Sequence, residues 1–177
     1  DEGVIALDDP LACFILAFAD VRVYESGTHG SFVPRPPAKA MTVLDLMRHT
    51  SGLTYGFINR TDIDAEYRRL RIAEPDLEGG LPEMMRLLAG LPLEFSPGTA
   101  FNYSVATDVL GHIVEIVSSA SLRDFFQARL LRPLGMADTD FFVAEDKRGR
   151  FATCYWSKDD RLALWDEDRR RLIGFGD

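Results

Sequence analysis

The segment 96–118 constrains the fold more than any other part of the chain, because it carries a complete amphipathic pattern. It reads SPGTAFNYSVATDVLGHIVEIVS. Pro97 and Gly98 predict a turn, and Ser104 is a suitable N-cap, so we expect a helix that runs from there to about Val117. The apolar residues recur at three- and four-residue spacing, which predicts one buried helix face; they are Val105, Val109, Leu110, Ile113, Val114 and Val117.

Tyr103 is the last non-helical residue before this predicted helix. The amide groups and the dipole at a helix N-terminus favour negative charge on a nearby oxygen, which suits a phenol with a chemical role. The alternative is structural, because a large apolar residue before a helix can pack onto the first turn and fix the angle of entry. Position alone favours the structural interpretation.

Residues that begin or end helices predict four further helices. In MTVLDLMRHTSGL, Thr42 and Asp45 form a capping-box pattern, and Gly52 is expected just past the helix end. TDIDAEYRRLRIA predicts a second, more exposed helix. Two more helices are predicted in the same way. In EGGLPEMMRLLAGLP the start and stop signals are Pro82, Gly90 and Pro92. In SLRDFFQARLLRPLG they are Ser121, Asp124, Pro133 and Gly135.

Strand patterns are confined to the two ends of the chain. VRVYESG alternates weakly, and RFATCYW and RLALWDE flank SKDD as a predicted antiparallel hairpin. The sequence therefore predicts a mainly α protein with a few short strands. A helix-rich middle between pieces of sheet is typical of a helical subdomain inserted into a larger protein. The first residue is not Met and DEGVIALDDP resembles the tail of a helix, so we expect a piece of a longer chain.

Composition excludes several classes of function. The formal net charge is −8, with acids along the whole length, so we expect no nucleic-acid partner. The basic cluster DEDRRRLIGFGD contains nearly as many acids as bases and is expected to be solvated surface. The apolar run LACFILAFA is too short to span a membrane. Cys13 and Cys154 each lie in an apolar run without a second ligand at zinc spacing, so we expect buried thiols and no zinc.

The three histidines do not form a recognisable catalytic motif. His49 lies at a predicted helix end, where its ring can bind the last carbonyls, and a structural role is favoured there. His112 is expected to pack within its helix, and His29 to be exposed in a glycine-flanked loop. The sequence contains no G-x-S-x-G, phosphate-loop, H-E-x-x-H or EF-hand spacing.

Four blocks occur in an order that resembles one known family: LDDP, MTVLDLMRHTSGLTYG, SPGTAFNYSVATDVLGHIVEIVS and LLRPLGMADT. Three motifs together resemble those of the serine β-lactamase and penicillin-binding-protein-like family: HTSGL, F-x-Y-S before an apolar helix, and PLGM. Its class C β-lactamase and family VIII carboxylesterase branch is the most similar. The resemblance implies the helical subdomain of the β-lactamase-like fold, which joins an α/β sandwich to an all-helical domain. Residues 1–177 would be one partial domain, with about 1–140 helix-rich and about 141–177 starting a hairpin that returns to the sheet.

The resemblance gives Tyr103 a catalytic role. In that family a tyrosine at this position points into the active site and cooperates with the S-x-x-K pair. It helps to remove the proton of the nucleophilic serine and then protonates the leaving group. Adjacent cations and the helix N-terminus both favour its phenolate. Thr54 and Tyr55 match a loop near the substrate cleft, so we expect substrate contact there, with packing an equal alternative for Tyr55.

Two departures from the family pattern limit this assignment. No serine of the chain has a lysine three residues later, and K-T-G is absent. We expect those motifs outside the 177 residues, and no hydrolase activity from this chain alone. Relatives that recognise penicillins have asparagine where Val105 stands, and losing such a hydrogen bond costs about 1–3 kcal/mol. Val105 therefore indicates an esterase with a more apolar substrate cleft.

The resemblance thus implies part of an esterase-type serine hydrolase that acts through an acyl-enzyme, without a metal or organic cofactor. Its partner would be a small-molecule ester or β-lactam. A β-lactamase or cell-wall peptidase is one alternative, and a non-catalytic binding or scaffold protein of the same fold is another. An incomplete fold would expose surfaces that its parent buries, so we also expect self-association.

Overall fold

The computed structural model describes residues 3–28, 30–74, 77–158 and 161–164. Packing divides the chain into two compact units, Asp1–Leu122 and Arg123–Asp177, and each is described by itself. The boundary near residue 140 concerns the subdomains of the family and stays a prediction. His29 and the basic cluster DEDRRRLIGFGD lie outside the described residues.

The first unit combines one hairpin with four helices. Strands β1 (Val23–Thr28) and β2 (Ser31–Arg35) pair antiparallel, with a register shift between Tyr24 and Ser26. Short 3-10 turns precede the hairpin at Leu11–Cys13 and Leu16–Phe18, and a third occupies Gly56–Ile58. The helices are α1 (Val43–Met47), α2 (Asp62–Arg69), α3 (Gly80–Ala89) and α4 (Ala106–Ser118).

The predicted apolar face of α4 lies in the core of the first unit. Val109 and Ile113 are 0% and 1% exposed, and they pack in one cluster with Leu46 of α1 and Leu88 of α3. Each such side chain contributes about 1.5–3 kcal/mol of hydrophobic stabilisation. This burial fixes α4, and therefore the residues that lead into it.

The capping box of α1 is confirmed. The Thr42 hydroxyl accepts a bond from the Asp45 amide at 3.3 Å, and the Asp45 carboxylate accepts one from the Thr42 amide at 3.0 Å. The helix ends earlier than Gly52, however, because His49 takes the left-handed conformation with φ 54°. Gly52 instead adopts the left-handed conformation after the helix, with φ +86°. A Cβ there would lie 2.3 Å from the carbonyl oxygen of Phe95, so glycine is required.

Three other sequence predictions are corrected. Helix α2 is not mainly exposed, since Ile63 and Tyr67 are each 1% exposed. Ser104 is not the N-cap of α4: the N-cap is Val105, and the helix begins at Ala106. Cys13 and Cys154 are thiols as expected, but both are exposed rather than buried.

The division between the two units falls after the first residue of a helix that changes type. Helix α5 (Leu122–Phe126) continues as a π-helical turn at Gln127–Leu131. After a 3-10 turn at Glu145–Arg150, strands β3 (Tyr155–Lys158) and β4 (Arg161–Leu164) pair antiparallel, which confirms the predicted hairpin.

The elements together confirm a mainly α protein with a few short strands. Among the helices of the described ranges, none has the length and apolar character needed to cross a bilayer.

Candidate active site

Tyr103 lies in the irregular segment 101–104, directly before α4. Its side chain is 53% exposed. Its hydroxyl makes no hydrogen bond with the described residues. A ring that packed onto the first turn would be buried, so this exposure disfavours the structural alternative. The phenol is open to a reacting group.

Two rings contact Tyr103 and two more pack on those, which gives an aromatic wall of five residues: His49, Tyr55, Phe57, Phe101 and Tyr103. The Tyr103 centroid lies 5.0 Å from that of His49 and 5.2 Å from that of Tyr55. Phe57 stacks on Tyr55 at 4.8 Å, and Phe101 meets His49 edge-on at 6.1 Å. Such pairs each contribute about 0.5–1.5 kcal/mol. Phe57 and Phe101 are 64% and 70% exposed, so the wall presents apolar surface to solvent.

Hydrogen bonds between two chain segments hold the wall in place. The Asn102 amide donates to the His49 carbonyl at 2.9 Å, and the Val105 amide donates to the Thr54 carbonyl at 3.2 Å. The Asn102 side chain donates to the Leu53 carbonyl at 3.1 Å. Tyr103 therefore lies between two anchored residues, Asn102 and Val105.

The predicted substrate-binding residues divide into two layers. Tyr55 is half-buried and forms part of the wall. Thr54 and Val105 are both 0% exposed, so their side chains lie beneath the surface. The Thr54 hydroxyl has no hydrogen-bond partner among the described residues. Direct contact with a substrate is open to Tyr55, whereas the two buried residues support the segments on either side.

A carboxyl group that the sequence analysis missed lies beside Tyr55. The Tyr55 hydroxyl donates to the Asp108 carboxylate at 3.5 Å. Burial, together with the nearby Asp108 and Tyr103, raises the pKa of Tyr55 to about 12. Burial also raises the pKa of Asp108 above its ordinary value, although hydrogen bonds oppose the shift. Tyr55 is therefore a neutral phenol near pH 7. The only sequence signal for Asp108 was its place in the first turn of a helix.

A second missed group is the polar network that holds Asn102. Its side-chain oxygen accepts from Arg60 at 2.5 Å, and its side-chain nitrogen donates to Glu94 at 2.8 Å. Glu94 in turn accepts from the Thr61 hydroxyl at 2.7 Å. Asn102 is only 5% exposed, so these partners satisfy a buried amide and stiffen the approach to Tyr103.

The two described histidines differ in their surroundings. His49 Nδ1 lies 3.2 Å from the Ser104 hydroxyl, so the ring contacts the segment before α4 rather than the last carbonyls of α1. His112 Nδ1 lies 3.1 Å from Glu115 on the same helix, consistent with a packed role. Within the described ranges, no three His, Cys, Asp or Glu residues converge as metal ligands.

The sequence model of the family described as Beta-lactamase matches residues 1–172. Protein Rv1367c of Mycobacterium tuberculosis (strain ATCC 25618 / H37Rv) is 38% identical over 175 residues, which is 98% of this chain and 41% of that protein. The lovastatin esterase of Penicillium rubens (strain ATCC 28089 / DSM 1075 / NRRL 1951 / Wisconsin 54-1255) is 32% identical over 153 residues, 85% of this chain and 37% of that enzyme. The chain thus spans about 40% of the length of these relatives.

A solved structure has the same fold over nearly the whole chain. It is EstCE1, described as a hydrolase with promiscuous acyltransferase activity. It superposes with a TM-score of 0.71 at 28% identity, and the match covers 93% of this chain and 40% of EstCE1. The resemblance inferred from HTSGL, F-x-Y-S and PLGM is confirmed by these matches.

Proposed function

Because the chain belongs to the β-lactamase family, we propose that it is part of an esterase-type serine hydrolase in which Tyr103 transfers protons. One observation carries the proposal. Tyr103 is exposed at the entrance to α4, without a hydrogen-bond partner among the described residues, while the adjacent Tyr55 is engaged by Asp108. A proton-transfer group must reach the reacting oxygen, and of the two phenols only Tyr103 has that freedom.

The proposed mechanism divides ester hydrolysis into two half-reactions. A serine of an S-x-x-K motif, which these 177 residues do not contain, attacks the ester carbonyl while the lysine of that motif and the Tyr103 oxygen relay its proton. The tetrahedral intermediate then expels the alcohol, whose oxygen takes that proton from Tyr103. In the second half-reaction a water molecule loses a proton to Tyr103 and attacks the acyl-enzyme. Collapse releases the acid and restores the serine hydroxyl with the proton held by Tyr103.

The wall favours esters over β-lactams as substrates. Val105 is 0% exposed and has no hydrogen-bonding side chain, so it offers nothing to an acylamide group. Phe57 and Phe101 instead present rings to solvent, which suit an apolar acyl or alkoxy group. The lovastatin esterase among the relatives supports this preference.

The proposal is tested with the full-length gene product, using a short-chain nitrophenyl ester and a chromogenic cephalosporin. We expect a higher kcat/KM for the ester. Efficient cephalosporin turnover with negligible ester turnover would contradict the esterase assignment and favour a β-lactamase. No turnover of either compound would favour the non-catalytic alternative. The 177-residue chain alone is expected to turn over neither.

The role of Tyr103 is tested by Tyr103→Phe in the same protein. We expect kcat to fall by about 10²–10⁴-fold, the usual contribution of a general acid–base group. Tyr24→Phe is the matched control, because the Tyr24 hydroxyl bonds the Gly27 carbonyl within the hairpin and does not contact the wall. Equal activity of the two variants would remove Tyr103 from the mechanism.

A further inference from the structure

His49 has a backbone conformation that few residues other than glycine adopt. It follows the C-cap Arg48 of α1 with φ 54°, in the left-handed region. Glycine adopts this region without strain, and among the other residues asparagine, aspartate and histidine tolerate it best. Ending a helix therefore does not require a histidine here. The reason for this residue must be sought in what its ring contacts.

The ring and backbone of His49 contact Tyr103 and both of its neighbours. The His49 carbonyl accepts the Asn102 amide at 2.9 Å. Nδ1 lies 3.2 Å from the hydroxyl of Ser104, which is 0% exposed. That hydroxyl also accepts from the Ala106 amide at 3.4 Å, so it links the His49 ring to the first turn of α4. The ring centroid is 5.0 Å from that of Tyr103. One residue thus fixes the segment before, at and after Tyr103.

We infer that His49 is a positioning residue that holds the Tyr103 phenol in its reactive direction. The inference rests on the proposed function, because only a phenol that transfers protons needs such a direction. Tyr103 is 53% exposed and its hydroxyl bonds none of the described residues, so its direction depends on ring contacts alone. Those contacts are His49 and Tyr55, with centroids at 5.0 and 5.2 Å. A displacement of about 1 Å at a reacting group can lower a rate by about 100-fold.

The first test is His49→Asn in the full-length gene product. Asparagine accepts the left-handed backbone but removes the ring. We expect kcat for the nitrophenyl ester to fall by roughly 10- to 100-fold, while KM changes by less than about twofold. His112→Asn is the matched control, because the His112 ring bonds Glu115 on the same helix and makes no ring contact with the wall among the described residues. His112→Asn is expected to have the kcat and KM of the wild type.

The second test observes Tyr103 directly, by fluorine NMR of the protein labelled with 3-fluorotyrosine. The Tyr103 signal is assigned as the one lost in Tyr103→Phe. We expect His49→Asn to shift or broaden this signal and His112→Asn to leave it unchanged. Positioning requires both a displaced signal and a lower kcat. A kcat within about twofold of the wild type, or an unmoved Tyr103 signal, overturns the inference.

One further variant, together with Tyr103→Phe, keeps the outcomes separate. If His49→Asn does not fold, Ser104→Ala removes the hydrogen-bond partner of the ring and is tested in the same two ways. If Tyr103→Phe hydrolyses the ester at the wild-type rate, the proposed function of Tyr103 fails. The inference about His49 then fails with it, and a displaced Tyr103 signal in His49→Asn would show a contact between the rings without a role in catalysis.

Discussion

Tyr55 and Tyr103 lie in one wall with ring centroids 5.2 Å apart, yet their phenols have different surroundings. The Tyr55 hydroxyl donates to Asp108 at 3.5 Å, and burial holds the pKa of Tyr55 at about 12. Tyr103 is 53% exposed. Two residues of the same type thus differ in their surroundings: the Tyr55 hydroxyl is engaged by Asp108, whereas the Tyr103 side chain is exposed, as the proton-transfer role proposed for it requires.

Asp108→Asn is expected to lower the pKa of Tyr55. The carboxylate raises that pKa by its charge and by accepting the phenol proton, and asparagine removes the charge while keeping the shape. Burial, the largest cause, remains, so the pKa should stay above the ordinary tyrosine value of 10.0. Ultraviolet titration of tyrosinate absorbance measures it, with Tyr55→Phe to assign the signal. An unchanged Tyr55 titration would show that Asp108 does not act on this phenol.

At the scale of the elements, features set by residues near each other in the sequence were predicted, whereas contacts between distant residues were missed. The Thr42–Asp45 capping box and the apolar face of α4 depend on neighbours within a few residues, and both were predicted. Strand β2 was missed because Pro34 interrupts its pattern. The bond from Arg60 to Asn102 joins residues 42 positions apart, and no local pattern reports such a pair.

The capping box of α1 predicts a pH dependence of stability. Burial acts to raise the pKa of Asp45, but hydrogen bonds from Lys39 and Thr42 outweigh it and hold the pKa below the ordinary 3.8. The stabilisation from Asp45 is therefore fully present above pH 3.8 and is lost as the pH falls through the lowered pKa. Asp45→Asn should reduce the free energy of unfolding by about 1–3 kcal/mol at pH 7 and remove this acid dependence.

Urea unfolding at several pH values measures the effect of Asp45→Asn. Asp62→Asn is the control, because Asp62 occupies the first turn of α2 but is exposed, and its effect should stay below about 1 kcal/mol. An acid transition that is the same in Asp45→Asn and in the wild type would contradict the assignment to Asp45.

Helix α4 offers a matched pair of isoleucines for testing how firmly it is anchored. Ile113 is 1% exposed and Ile116 is 41% exposed, on the same helix. Ile113→Ala should lower the free energy of unfolding by about 2–5 kcal/mol, because it removes buried methyl groups and leaves a cavity. Ile116→Ala should change it by less than about 0.5 kcal/mol. Similar losses in urea unfolding would mean that the predicted face does not anchor the helix.

At the scale of the whole molecule, the second unit carries many exposed apolar side chains. Leu134 and Leu162 are 69% and 77% exposed, and Tyr155 is 54% exposed. Proteins that remain monomeric rarely present large contiguous apolar surface to water. The chain also spans about 40% of the length of the relatives it matches. Both facts favour contact between copies of the 177-residue chain when it is prepared alone.

We predict that the 177-residue chain self-associates, because contact between copies removes these apolar side chains from water. Light scattering over a range of concentrations should give an apparent mass that rises above the 19.9 kDa of one chain. Leu162→Lys places a charge on the most exposed of these side chains and should weaken the association, whereas Arg161→Lys, next to it on β4, keeps the charge and should not. A single 19.9 kDa species at high concentration would contradict the prediction. The same mass rise in Leu162→Lys would move the contact away from the hairpin of β3 and β4.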